Sequence, residues 1–374
     1  MRPRFARPLA TRLDTDTSDT VTSDTARPDV ADPTPPRAPR ASAWPVRLIA
    51  PALIAAGLAA PASAGVEEAV TQHILPRQDA FAQATATLDT AAQGDCTAAK
   101  LEAPYQEAFD AWARVGHIRL GPIEEDGRAL AIAFWPDTRG MVAGTLRDLL
   151  ADQPPEVADP AEFAEFSVAA RGLFALERLI YDPDFRDYGA DDYACTLARA
   201  VTADLARMAA EIDAEWPDYA TTLTTAGEAG NSRYLSRDEA AQALFTVLLT
   251  GLEFDADQRI GRPLGSFERP RPARAEAWRA GRSLRNVVLS LESLRDLAQR
   301  LTDAPVPETL AAFDRAIAEA QQLNDPVFAG VEDPQGRFEA EILQQRIQAV
   351  RRAVETEIGP RLGVAAGFNS MDGD

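Results

Sequence analysis

Residues 166–181 read FSVAARGLFALERLIY, and the spacing of their apolar side chains predicts a helix. One stripe of that helix carries Phe166, Ala170, Leu173, Phe174, Glu177, Ile180 and Tyr181. Every member of the stripe except Glu177 is apolar. A carboxylate that faces a protein core costs several kcal/mol unless a partner compensates it. The stretch therefore predicts either a structural Arg beside Glu177 or a bound cation or ligand.

Gly172 interrupts the middle of this predicted helix. Glycine inside a helix costs about 1 kcal/mol relative to alanine. A glycine at such a position usually marks the close approach of another element. We therefore expect a second segment of the chain to pack tightly against residue 172.

The centre of this stretch resembles the sequence motif of a known family. Residues 172–177, GLFALE, are similar to the G-x-H-x-x-E motif of the imelysin-like proteins, which include insulin-cleaving membrane proteases and iron-regulated periplasmic or surface proteins. Gly172 and Glu177 match the motif, whereas Phe174 stands where the family has its histidine. The resemblance implies a site between two helical bundles, with Glu177 as one of its residues.

Further fragments along the chain resemble imelysin-like segments. They are HILP at 73–76, Gly121-Pro122, Trp135-Pro136-Asp137, RSLRN at 282–286 and GFNSMDGD at 367–374. The last of these fragments resembles the C-terminus of the branch of imelysin-like proteins that is found beside iron-uptake genes. The resemblance thus runs from His73 to Asp374, and it implies that the two bundles arose by duplication.

Acidic residues outnumber basic ones, 58 to 38, which gives the 374-residue chain a formal net charge of -20. Such a charge repels nucleic acid and anionic lipid, and it attracts cations or basic partners. We therefore expect no nucleic-acid partner.

The first 64 residues differ in composition from the rest of the chain. Residues 1–46 are polar and lack an apolar period, which indicates either a disordered extension or a start codon assigned too early, with Val46 as the true start. Residues 47–64 read as a secretory signal peptide, with cleavage expected after Ala64. The apolar run is too short, and too broken by Pro51, for a good membrane span. These features predict a periplasmic protein without a stable membrane span in the mature chain.

Helical periodicity recurs through the mature chain, and no stretch reads as strand, turn and strand. Helices are predicted at 66–92, 101–120, 193–216, 240–260, 274–301, 307–323 and 338–358. The polar segment 217–237 is expected to join two sets of these helices. The predicted fold is all-α, with two packed helical bundles at 65–230 and 231–374.

Two cysteines and two histidines restrict the chemistry. In an exported protein, Cys96 and Cys195 are expected to form one disulfide, with two buried free thiols as the alternative. His73 is expected to be either a half-exposed helix residue or a functional residue of the HILP segment. His73 and His117 are far apart in sequence and no H-E-x-x-H motif occurs, so the pattern of a zinc peptidase is absent.

The expected function depends on which residues of the G-x-H-x-x-E motif this chain retains. With Phe174 in the histidine position, the metal site implied by the resemblance loses its nitrogen ligand. A site made of carboxylates alone suits Ca²⁺, Mg²⁺ or Fe³⁺ better than Zn²⁺. We therefore expect a non-catalytic periplasmic accessory or binding protein of iron uptake, with a polar cleft between the bundles. An imelysin-type metallopeptidase and a structural domain that binds another envelope protein are the alternatives.

The residues expected to line that cleft are Glu177, Gly172, Phe174, His117, Trp135, Asp137, Arg171 and Arg282. Glu177 is the expected ligand if a metal binds, and iron or calcium is the expected cation. An iron-uptake protein of the envelope is the expected macromolecular partner. No residue is expected to be catalytic.

Overall fold

The computed structural model describes residues 62–363, with side chains described from Gly65 onward. The predicted extension at 1–46, the signal peptide before residue 62 and the closing segment at 367–374 lie outside this range. Within it, no helix is both long and apolar enough to cross a membrane.

The described part of the chain is built of helices and contains no β-strand. The α-helices are α1 (Ala62–Glu68), α2 (Leu75–Gly94), α3 (Ala98–Val115), α4 (Arg128–Ile132), α5 (Met141–Asp152), α6 (Pro160–Ala164), α7 (Gly172–Tyr181), α8 (Tyr193–Thr224), α9 (Arg237–Glu253), α10 (Gly261–Leu264), α11 (Ser283–Arg300), α12 (Pro307–Gln322) and α13 (Pro334–Glu357). Two π-helical segments, Ala69–Ile74 and Phe254–Ile260, continue α1 into α2 and α9 into α10. The predicted all-α fold is confirmed.

Helix α7 lies at the centre of the first set of helices. It packs against α3, α4, α5 and α8, and its first six residues are all buried. The helix begins at Gly172, so the prediction that it starts at residue 166 is wrong. Val168–Ala170 form a short 3₁₀ turn and Arg171 is extended, which separates Phe166 from the helix.

Gly172 is the residue at which the chain turns into α7. Its φ is +67°, a conformation that residues with a Cβ rarely adopt. A Cβ at this position would collide with the carbonyl oxygens of Ala131 and Ile132 at the end of α4. The expected close approach of a second segment is thus present, and that segment is α4.

The helices pack in two sets around a continuous core. In the first set, α2 and α7 each pack on α3 and α8. In the second set, α11 and α13 each pack on α9 and α12. Helix α3 meets α11 and α1 meets α9, so buried apolar residues of both sets form one cluster. The boundary near residue 230 stays a prediction.

Two helix boundaries differ from those predicted. Helix α8 continues through Pro217 to Thr224, because Trp216 and Leu223 on its inner side are buried and hold the additional turns against the core. Helix α11 begins at Ser283 instead of residue 274, because Ala277 and Gly281 have positive φ and form a turn before it. This turn contributes to the site described below.

Cys96 and Cys195 form a disulfide, with their Cα atoms 5.3 Å apart. The bond connects the turn between α2 and α3 to the first turn of α8. It therefore ties together, at one end, α2 and the two helices that pack on it.

Candidate functional site

Glu177 is buried within α7, and its carboxylate is bound by backbone amides. Its Oε1 accepts hydrogen bonds from the N–H groups of Arg279, at 2.9 Å, and Ala280, at 3.4 Å. Burial raises the pKa of Glu177, and the nearby positive charge of Arg279 only partly opposes this rise. The partner of Glu177 is therefore the turn before α11, and not the side chain of a structural Arg.

Glu177 lines a cavity of about 130 Å³, which we name the Glu177 cleft. The side chains that define it are Phe174, Trp135, Asp137, Arg178, Arg262, Arg274 and Arg279, together with Glu177. Three residues expected near Glu177 are thus brought to it by the fold: Phe174, Trp135 and Asp137. Asp137 also caps α5, since its carboxylate accepts the N–H groups of Met141 and Val142 at 2.8 and 2.9 Å.

Aromatic packing fills the position that corresponds to the histidine of the motif. Phe174 meets the edge of Phe109, with ring centroids 5.7 Å apart, and it lies nearly parallel to Trp135 at 6.5 Å. The Phe174 side chain is 5% exposed. This wall of the cleft is consequently apolar, and the polar groups of the cleft come from Glu177, Asp137 and the arginines.

Positive charge dominates the Glu177 cleft. Arg178 and Arg279 share the carboxylate of Asp182, at 2.5 and 2.9 Å. Arg262 donates to the side-chain oxygen of Gln258 at 3.0 Å, and its buried Nε has no hydrogen-bond partner within residues 65–363. Arg274 is exposed at the rim and forms no ion pair with the described residues. Four arginines thus face a cleft with only two carboxylates, Glu177 and Asp137.

The Glu177 cleft is not lined by Gly172, Arg171 or Arg282, although all three were expected there. Arg171 binds Asp204 on α8 through two hydrogen bonds of 2.8 and 3.1 Å. Arg282 binds Asp110 at 2.7 Å and lies over the ring of Phe109. Both arginines are therefore paired with carboxylates other than Glu177.

His117 and His73 lie together in the core, although they are far apart in sequence. Their Nε2 atoms are 3.3 Å apart, and Nδ1 of His73 lies 2.8 Å from Oδ2 of Asp296. The expectation of a half-exposed His73 is wrong, because its side chain is completely buried. Burial lowers the pKa of His73 to about 4, against the opposing effect of Asp296, and it lowers the pKa of His117 well below its usual range.

Sequence reasoning missed this pair, but the chain contains a signal for it. Helices α2 and α3 form an antiparallel hairpin whose turn lies around Asp95 and Cys96. Residues at equal distances from such a turn face each other across the hairpin. His73 and His117 are nearly the same number of residues away from this turn. Their proximity could therefore have been predicted from the hairpin.

His117 lines a second cavity, of about 230 Å³, which we name the His117 cavity. Its walls include Trp112, Phe254 and Trp135, and Trp135 also lines the Glu177 cleft. The structure therefore places His117 next to the Glu177 cleft, on the other side of Trp135, and not within it.

A buried ionic chain borders the His117 cavity. Arg259 donates to Asp255 at 2.6 Å and to Glu276 at 2.7 Å, and Glu276 also accepts the amide of Asn286 at 2.8 Å. Burial raises the pKa of Asp255 to about 6, despite the adjacent Arg259. Since Arg259 pairs with both carboxylates, we assign this ionic chain a structural role beside the cavity.

Metal ligation by Glu177 stays a prediction. Within residues 65–363, no group of three or more His, Cys, Asp or Glu side chains is placed to hold a metal ion. The chemistry that the geometry provides at the cleft is a buried carboxyl, arginine donors and aromatic walls.

Comparison with known proteins gives a family and a fold. No curated protein matches the sequence. An imelysin-like protein from Psychrobacter arcticum 273-4 has a similar structure, with a TM-score of 0.69 and 19% identity over 82% of this chain and 97% of that chain. A putative iron-regulated protein A precursor from Parabacteroides distasonis ATCC 8503 is also similar, with a TM-score of 0.60 and 14% identity over 79% of this chain and 94% of that chain. The family model of Peptidase M75, imelysin, matches residues 74–354, and the chain therefore belongs to the imelysin family.

Proposed function

We propose that this chain is an exported, non-catalytic binding protein of iron uptake, which holds its ligand in the Glu177 cleft. The observation that carries the proposal is Phe174, which occupies the histidine position of the motif and lines the cleft as part of an aromatic wall. A phenyl ring neither ligates a metal nor transfers a proton. The retained Glu177 and the arginines around it support binding in place of hydrolysis.

The charge of the cleft favours an anionic ligand over a bare cation. Arg262 and Arg274 have no carboxylate partner among the described residues, and guanidinium groups bind carboxylates and phosphates through paired hydrogen bonds. Burial raises the pKa of Glu177, so this carboxyl opposes an anionic ligand less than a solvent-exposed carboxylate would. For iron, this chemistry means a ferric complex with a polycarboxylate, and not free Fe³⁺ or Ca²⁺.

Two observations support the link to iron. One structural neighbour bears the name of a putative iron-regulated protein A precursor, and the C-terminal segment 367–374 resembles the branch beside iron-uptake genes. The word precursor in that name agrees with the expected signal peptide of this chain. Both observations point to an envelope protein that works with iron transport.

Calorimetry with three probes tests the ligand. We expect citrate and ferric citrate to bind the purified protein, and calcium chloride to give no heat of binding. The double variant Arg262→Gln, Arg274→Gln should weaken citrate binding at least about tenfold, because it removes two charged donors. The control is Arg315→Gln, an exposed residue on α12 that lines neither cavity. Tight binding of Ca²⁺ without citrate binding would overturn the anionic ligand.

The alternative of an imelysin-type metallopeptidase is favoured by the family model, whose description is a peptidase. Incubation with unfolded casein, with and without Zn²⁺, separates the two functions. We expect no cleavage in either condition. Cleavage that persists after further purification and is lost in Glu177→Gln would establish the peptidase and refute a non-catalytic role. If neither cleavage nor any ligand is found, the structural envelope domain is the better assignment.

Export is tested by the mass of the protein recovered from the periplasm. Cleavage after Ala64 leaves Gly65 as the first residue, and Gly65 packs so closely on the carbonyl of Leu301 that a Cβ would collide with it. We expect a mass that begins at Gly65. A recovered chain that retains residues 1–46 would contradict both the cleavage site and a true start at Val46.

A further inference from the structure

We propose that the His117 cavity is a second binding site, which takes a small neutral aromatic compound whose hydroxyl group donates a hydrogen bond to Nδ1 of His117. The inference does not depend on the function proposed for the Glu177 cleft. It rests on the protonation pattern of the histidine pair, on one unpaired atom and on the walls of the cavity.

The contacts of His73 determine which nitrogen carries each proton. Asp296 forms an ion pair with Arg77 and accepts a hydrogen bond from Arg300, so it is a carboxylate and can only accept from His73. Nδ1 of His73 therefore carries the proton, and Nε2 of this neutral imidazole is an acceptor. At 3.3 Å, Nε2 of His117 must then be the donor in the bond between the rings. Nδ1 of His117 is consequently left with a bare lone pair.

This lone pair has no partner in the described part of the protein. Nδ1 of His117 is buried and accepts no hydrogen bond, and the residue as a whole is 9% exposed. A buried acceptor without a donor destabilises a folded protein, so such atoms are normally satisfied by protein, water or ligand. The bonds from His117 to His73 and on to Asp296 polarise one another, which strengthens the acceptor at the free end.

The size and walls of the cavity indicate what supplies the missing donor. A dry apolar cavity of roughly 150 Å³ holds a benzene molecule, and the His117 cavity measures about 230 Å³. Trp112, Trp135 and Phe254 present aromatic surface to it. The space therefore suits a compound of one or two rings, packed between aromatic side chains.

The charged groups of the cavity are of both signs, which favours a neutral ligand. Arg259 and Arg119 would repel a cation, and Glu276 and Glu253 would repel an anion. Arg259 and Glu276 are already bound to each other, and the hydroxyl of Thr250 is used by backbone oxygens of its own helix. A neutral aromatic hydroxyl satisfies His117 without disturbing these contacts, and phenols are the simplest compounds of this kind.

Calorimetry with phenol and toluene, which have nearly the same size, tests the proposal on the purified full chain. We expect phenol to bind at least about tenfold more tightly than toluene, since only phenol donates to His117. In His117→Phe, which removes Nδ1 and keeps a ring, the preference for phenol should disappear while toluene binding remains. Equal affinity for both compounds in the unmodified protein would overturn the role of His117.

A second variant keeps the test independent of the histidine pair. Ala133 lines the cavity and Leu at this position fills part of it, so Ala133→Leu should weaken both phenol and toluene. The matched control is Ala103→Leu, an exposed residue of α3 outside the cavity, which should bind both compounds normally. If neither compound binds the unmodified protein, water alone satisfies His117 and the proposal is wrong.

Discussion

At the scale of single residues, Glu177 shows how backbone amides accommodate a carboxyl group in a core. Both amides come from the turn before α11, and they bind one oxygen of the side chain. A glutamine at this position still offers that oxygen, but it carries no charge. The charge and the hydrogen bonds of Glu177 can therefore be separated by mutation.

We predict that Glu177→Gln leaves the protein as stable as before at pH 7, or slightly more stable. The pKa of Glu177 is 4.5 in the unfolded chain and is raised in the folded state, so folding takes up protons at pH values between the two. The stability of the unmodified protein therefore falls as the pH rises above 4.5. The stability of the glutamine variant does not fall in this way, because glutamine does not titrate. Thermal melts at pH 4 and pH 7 should show the difference between the proteins growing with pH.

Glu177→Ala is the matched control for this prediction. It removes the acceptor and strands the N–H groups of Arg279 and Ala280, which should cost about 1–3 kcal/mol. A glutamine variant that is destabilised as much as the alanine variant would show that the negative charge itself holds the turn in place.

We predict that protonation of His73 contributes to acid unfolding. Its pKa is about 4 in the folded protein and 6.5 in the unfolded chain, so the unfolded chain binds more protons between these values. The stability that neutral His73 provides is complete above pH 6.5 and is lost as pH falls to about 4. The loss amounts to about 3 kcal/mol, at 1.36 kcal/mol per pKa unit.

Urea unfolding at a series of pH values checks the contribution of His73. In His73→Gln, the fall in stability between pH 6.5 and 4 should be smaller than in the unmodified protein, because glutamine does not titrate. Asp296, Arg77, Arg300 and His117 surround His73 and are present in both proteins. Identical pH profiles would mean that His73 is not the titrating group.

The sequence predicted some of these residues and missed others for physical reasons. The burial of Glu177 follows from its place among apolar residues at helical spacing. Its partners could not be predicted, because Arg279 and Ala280 lie in a stretch whose composition favours helix but whose backbone turns at Ala277 and Gly281. The spacing of apolar residues in the sequence does not indicate that a residue such as Ala277 has a positive φ.

At the scale of helices, the contact between α7 and α4 depends on one missing side chain. We predict that Gly172→Ala destabilises the protein by at least about 2 kcal/mol, because a Cβ meets two carbonyl oxygens and the φ of +67° becomes strained. Chemical denaturation measures the change in the free energy of unfolding.

Gly144→Ala is the control for this substitution. Gly144 lies within α5, and a Cβ there meets no atom within 4 Å. Alanine at this site should stabilise the helix by up to about 1 kcal/mol. If both alanine variants behave alike, then α4 does not lie against residue 172 as described.

The helices themselves were predictable from apolar spacing, whereas their ends were not. Helix α8 passes through Pro217, which a sequence pattern treats as a stop signal. The burial of Trp216 on the preceding position outweighs the lost backbone hydrogen bond. Tertiary packing of this kind has no local signature in the sequence.

At the scale of the whole molecule, the disulfide closes a long loop. Cys96 and Cys195 are 99 positions apart, and closing such a loop restricts the unfolded chain. We predict that reduction lowers the free energy of unfolding by roughly 3–5 kcal/mol. Urea titrations with and without dithiothreitol measure the loss, and thiol titration of the denatured, unreduced protein should detect no free thiol. Two titratable thiols would contradict the bond.

The N-terminal helices make contacts that have a consequence for synthesis. His73 is bound to Asp296, which lies 223 positions later in the chain, and α1 packs on α9. A ribosome adds about 5–20 residues per second, so His73 waits about 10–45 s for its partner. Through this interval α2 and α3 can already pack on each other, whereas the surfaces of α1 and α3 that contact α9 and α11 have no partner. We therefore expect these N-terminal surfaces of the newly made chain to stay uncovered until the chain up to Asp296 is available to fold on them.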